Sequence, residues 1–169
     1  MYIFGGRYNG TTTNKIFTFN MATETFAELT SGGTPVTLPN AWREGGAAAV
    51  GSKIYLFGGR NSGGTVLNAI MTFETTTNAI TTLTATMPHG LSVPRCVAVD
   101  TIIYIVGGST GSNGTTYVSY YNTESGTYTE TSTLKTPVFG HGVYLSYDGQ
   151  YIYSAGGYRP TNDTTASPK

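Results

Sequence analysis

Four short apolar runs in this chain stop on a pair of glycines: "YIFGG" at residues 2–6, "YLFGG" at 55–59, "YIVGG" at 104–108 and "YSAGG" at 153–157. Their first glycines, Gly5, Gly58, Gly107 and Gly156, stand 53, 49 and 49 residues apart. A period near 50 fits a supersecondary unit of four strands, copied along the chain and stacked on its neighbours because one copy cannot bury its own apolar surface. The partner glycines are Gly6, Gly59, Gly108 and Gly157. Gly32 and Gly33, Gly45 and Gly46, and Gly63 and Gly64 lack the preceding aromatic and apolar run, so they read as loop or strand-start glycines.

The flanks repeat as well. A small or apolar stretch and a tight turn lead into the glycine pair, as in "GAAAVGSKIYLFGG", "CVAVDTIIYIVGG" and "YLSYDGQYIYSAGG". Asp148 and Gly149 form a strong two-residue hairpin signal, because both residue types tolerate positive φ. A polar loop follows the glycines, then "KIFTFN", "AIMTFE" or "VSYYN", then a turn such as "NTESG", and finally a run such as "TFAEL" or "TYTET". The unit therefore reads as four antiparallel strands. Charged residues make up only 11% of the chain, against about 25% in average soluble proteins. Thirteen Tyr and seven Phe nevertheless supply enough burial to exclude a disordered chain. Thr and Tyr pack well on a pleated surface, which favours an all-β fold.

With this pattern the chain resembles the Kelch-repeat β-propellers. In that family a blade has an Arg-bearing lead-in, an apolar strand ending in Gly-Gly, a strand ending near an aromatic, and a Trp-bearing last strand. Arg43 matches the lead-in, and Phe19, Phe73 and Tyr121 match the third-strand aromatic. Phe26 and Tyr128 stand near the Trp position, with Ile80 in the second unit, whereas the single Trp42 lies beside Arg43. Arg95 lies nearer its glycines than Arg43 does, and His141 replaces Arg in the last unit. The resemblance implies a partial Kelch-type propeller of about three to four blades of four-stranded antiparallel sheets, with units at approximately 1–31, 42–84, 93–133 and 137–169. The first unit lacks its first strand and the last lacks its final two. Since propellers close with about 4 to 8 blades, the remaining blades are expected from a longer chain or from other copies. The glycine pairs are read as structural: strands crowd near a propeller axis, where a residue without Cβ fits and the chain turns sharply. No helical period follows any pair, which argues against a phosphate cradle.

Three sequons, at Asn9, Asn113 and Asn162, fall in the same loop of their units, after the glycine pair and before the third strand. The second unit has "NSGGT" there, which fails the motif. This placement predicts N-glycosylation and an extracellular or cell-surface location. Arg7, Arg60 and Arg159 follow three of the pairs, with Ser109 at the fourth. Such arginines could bind an acidic partner or carbohydrate, or pair with backbone carbonyls near the channel, and the second role is favoured.

Other chemistry is thinly supported. The net charge of zero gives no basic excess for nucleic acid, and no run approaches the roughly 18 apolar residues of a membrane span. His89 and His141 stand outside any spaced ligand cluster, so neither a metal nor another cofactor is expected. The implied fold also resembles that of secreted copper-radical oxidases, whose chemistry needs a cross-linked Cys and Tyr, but Cys96 lies in an apolar strand. "SYDGQYIY" is similar to the Asp-box turn of sialidases without its tryptophan, and a hairpin suffices to explain it. The reading is a non-enzymatic interaction or structural module with a protein or carbohydrate partner. Its alternative is part of a secreted propeller oxidase or carbohydrate-active enzyme whose site lies in sequence beyond this chain.

Overall fold

The computed structural model describes residues 1–111 and 113–158, and every regular element among them is a β-strand. Two sheets are four-stranded antiparallel meanders: Gly46–Val50, Lys53–Phe57, Ala69–Glu74 and Ile80–Thr86, then Arg95–Val99, Ile102–Val106, Thr115–Asn122 and Thr127–Val138. A first sheet holds Tyr2–Phe4, Ile16–Asn20 and Thr25–Glu28, and a fourth holds Gly142–Leu145 and Ile152–Ala155. Small hairpins pair Arg7–Tyr8 with Thr11–Thr12 and Thr30–Ser31 with Thr34–Pro35.

The sheets are arranged radially. Gly46–Val50 lies alongside Arg95–Val99, which in turn lies alongside Gly142–Leu145, so the first strands of three successive sheets meet at the centre. The sheets splay apart outward. This is an arc of a β-propeller, and the sheets are its blades.

Burial on both faces explains why the second strands are apolar without alternation. Leu56 points toward the first blade, into a core with Ile16, Leu38, Trp42, Met71 and Phe73. Its neighbours Tyr55 and Phe57 point the other way, into a core with Ile70, Met87, Leu91, Ile103, Ile105 and Tyr121. The second blade is thus a wall between two cores, and each fully buried Leu or Phe in it contributes about 1.5–3 kcal/mol.

Turn chemistry follows the repeat less closely than the strands do. The turn between third and fourth strands places Glu24, Asn78 and Gly126 at φ of 54°, 60° and 70°. At the hairpin of the fourth blade only Gly149 has positive φ, at 72°, which corrects the expectation of a two-residue turn at Asp148 and Gly149. The loop is longer because its polar groups close it internally: Ser146 N–H donates to the Tyr151 carbonyl, and Asp148 Oδ1 accepts from both Ser146 Oγ and Gln150 N–H. These bonds hold the Asp148 carboxyl below its usual range, the Ser146 hydroxyl being the largest cause.

The glycine pairs sit where one blade meets the lead-in of the next. All eight have positive φ, from 59° at Gly107 to 111° at Gly6. A Cβ on Gly5 would stand 2.0 Å from the Trp42 carbonyl oxygen, one on Gly58 2.2 Å from that of Leu91, and one on Gly107 2.6 Å from that of Val138. The second glycine of each of the first three pairs donates its N–H to the same carbonyl: Gly6 to Trp42 at 2.8 Å, Gly59 to Leu91 at 2.8 Å and Gly108 to Val138 at 2.9 Å.

Two glycines of the second blade separate crowding from backbone preference. Gly51 and Gly58 share a φ of 59–60°, but nothing lies within 4 Å of a Cβ on Gly51. Gly51→Ala is expected to cost about 1 kcal/mol, the left-handed penalty alone. Gly58→Ala should cost more than about 3 kcal/mol, because the joint must also move. Urea denaturation of the two variants checks the difference, and equal costs would contradict the crowding account.

Candidate interaction face

The loops that leave the glycine pairs project from one end of the blades, together with the lead-ins that bind those pairs. Arg60 is the best-anchored side chain there. Its Nε pairs with Glu44 Oε2 at 2.9 Å, one terminal nitrogen donates to the Gly64 carbonyl, and the other reaches the Gly111 carbonyl of the next blade, both at 2.9 Å. Glu44 also accepts from Arg43 at 2.8 Å, so one carboxylate bridges two guanidinium groups. Arg60 is therefore committed to joining loops of the second and third blades. Its fork geometry suits this role, since it satisfies three acceptors in fixed directions.

Arg7 differs. It is exposed, and its Nε donates only to the nearby Gly10 carbonyl, at 3.1 Å. That bond spans the tip of the Arg7–Tyr8 and Thr11–Thr12 hairpin, where Asn9 and Gly10 adopt φ of 46° and 79°. Asn-Gly with both residues at positive φ matches the twist of a two-residue hairpin. The tip holds Tyr8 79% exposed. Asn9 and Asn113 are both exposed in equivalent loops. Arg159 and Asn162 lie outside the described residues.

The remaining candidates are scattered. His89 stacks on Tyr117, with ring centroids 4.7 Å apart, and its Nε2 lies 3.5 Å from Glu130 Oε1, on the outer part of the joint between second and third blades. His141 is buried between third and fourth blades. Burial pushes the Cys96 thiol up to about 12, so it is a neutral core group. Among the described residues no three of His, Cys, Asp and Glu cluster as metal ligands would, and no helix is long and apolar enough to cross a membrane.

The chain that builds these radial sheets and glycine-pair joints matches a family model, the KLHDC2/KLHL20/DRC7 Kelch-repeats domain, over residues 1–166. The chain belongs to the Kelch-repeat family. Kelch-repeat domains serve generally as protein-interaction modules and not as enzymes, so this one is an interaction module in the same coarse sense. No curated protein matches the chain.

Two residues of the Kelch loop face escaped the sequence reading. Glu44 was legible as a neighbour of Arg43 but not as a bridge to Arg60, sixteen residues away. Tyr8 carries no motif of its own, and its signal is the Asn9 and Gly10 pair beside it, a hairpin turn that places it at an exposed tip. Arg60→Lys keeps the charge but loses the fork, and with the side chain 20% exposed the expected loss is about 1–2 kcal/mol. Denaturant unfolding measures it; no loss would mean that the bonds to Gly64 and Gly111 contribute nothing net.

Proposed function

We propose that this Kelch-repeat chain binds another protein outside the cell or at its surface, without catalysing a reaction, and that the loop face is where it binds. The observation that carries this reading is the hairpin tip at Arg7, Tyr8 and Asn9. A two-residue turn presents a large aromatic side chain beside a cation whose one hydrogen bond among the described residues is local. Tyr and Arg are enriched among residues that dominate binding energy, because each offers much contact area at a modest entropy cost.

The extracellular part of the reading rests on the sequons. Asn9 and Asn113 are exposed on equivalent loops, where a glycan would meet no packed surface. A glycan on Asn9 would stand next to Tyr8 and narrow the set of partners that reach it. Glycosylation and binding thus share one face.

Two measurements test the two parts separately. N-glycosidase treatment of the protein from its native source should lower its mass, and an unchanged mass would remove the glycoprotein reading. Peptides selected from a displayed library on the immobilised chain should lose about tenfold or more in affinity when Arg7 and Tyr8 are both changed to Ala. Undiminished binding by a folded double variant would place the site elsewhere.

A further inference from the structure

The joint between third and fourth blades buries a histidine at a position that the other joints fill with glycine or proline. His141 directly precedes Gly142–Leu145, at the place held by Gly45 in the second blade and Pro94 in the third. Its ring fills the gap between two glycine pairs: a Cβ on Gly107 would stand 2.8 Å from Cε1, and one on Gly157 2.8 Å from its Cβ. The residue is 2% exposed, and neither Nδ1 nor Nε2 has a hydrogen-bond partner among the described residues. Its backbone carbonyl accepts from Arg95 Nε at 2.7 Å, which ties the fourth-blade lead-in to the first strand of the third blade.

A neutral imidazole in this place buries one N–H and one lone pair without partners. An imidazolium would bury two donors and a full charge, with no acceptor to receive them. Arg95 is the charged group among the described residues that acts on the ring, and it has the same sign. Gly107, Val138 and Gly157, which pack against it from the other sides, carry no ionisable side chain.

We propose that His141 is a proton-operated latch, and that acidification releases the hairpin of Gly142–Leu145 and Ile152–Ala155 from the third blade. Burial first, and Arg95 second, hold the docked ring below the usual histidine value. The released ring titrates normally, near 6.5. The docked state binds fewer protons, so the stabilisation is fully present above about pH 6.5 and is lost as pH falls below it. Release would leave Phe139 beside the third blade, where the Gly108 bond to the Val138 carbonyl holds its lead-in, and so would break the paired bonds between Phe139 and Tyr158 as well as the Arg95 bond, with the second joint intact.

Hydrogen exchange of the 169-residue chain at pH 7.5 and pH 5.0, corrected for intrinsic exchange, tests this without a ligand. Protection of the Phe139 and Tyr158 amides should fall by up to about 30-fold, the limit set by 1.5 pH units below the free value. The equivalent amides of Arg43 and Arg60, and of Ser92 and Ser109, should keep theirs. In His141→Gln and His141→Leu the pH dependence should vanish, and Gln keeps a polar side chain of similar reach if Leu does not fold. Protection at Phe139 and Tyr158 that is independent of pH in the unmodified chain would overturn the proposal. So would a pH dependence that survives in either folded variant.

Discussion

The structure depends on one backbone joint, repeated three times. The second glycine of a pair donates its N–H to a lead-in carbonyl, from Trp42, Leu91 or Val138, that stands too close to the first glycine to admit a Cβ. The next lead-in residue then turns to its own blade: Arg43 exchanges bonds with Arg60, Ser92 with Ser109, and Phe139 with Tyr158. Two consecutive residues thus fasten two consecutive blades. The radial layout follows from this alternation, because every blade is held at its inner end to the one before it and the outer ends are left to diverge.

A joint made of backbone leaves its side chains free to differ. Trp42, Leu91 and Val138 occupy one position, and Gly45, Pro94 and His141 another, with no common size or polarity. What fills the space between blades then decides the strength of each joint. Trp42 seals the first by donating Nε1 to the Gly58 carbonyl at 2.7 Å and by lying across Gly45 and Gly59. Leu91 and Met87 seal the second within a core of aromatic and branched side chains. The third has His141, whose ring nitrogens return nothing.

The same freedom explains what could be read from the sequence. The family and the all-β propeller architecture were legible because Gly5, Gly58 and Gly107 combine positive φ with a carbonyl oxygen 2.0–2.6 Å from where a Cβ would stand, so no other residue fits and the letters recur at a fixed period. Lead-in identities were not legible, because a carbonyl acceptor is the same in Trp, Leu and Val. Nor was the division of labour among the arginines. Arg7 and Arg60 follow their glycines identically in sequence, but Glu44 and Gly111 come from other segments and capture only Arg60. The Asp148 and Gly149 turn misled for a related reason, since the Ser146 hydroxyl competes for the Asp148 carboxylate and lengthens the loop.

Strain is also distributed unevenly along the arc. The residue after each paired lead-in position is left-handed, Glu44 at 59°, Val93 at 54° and Gly140 at 67°. Only glycine accepts this at no cost, whereas a β-branched valine there carries a penalty of order 1–3 kcal/mol. The second joint holds Val93 in place through its N–H bond to the Glu44 carbonyl, at 2.6 Å, and through the core beneath Leu91. The third joint has an unstrained Gly140 but a His141 with no hydrogen-bond partner for its ring among the described residues. Because stability in a repeat architecture is close to a sum over units and their interfaces, opening among the described blades begins at the joint whose buried polar group lacks a partner and not at the one with the most backbone strain. That places the first opening at the fourth blade, away from the Arg60 and Glu44 bridge that ties the second and third blades at the loop face.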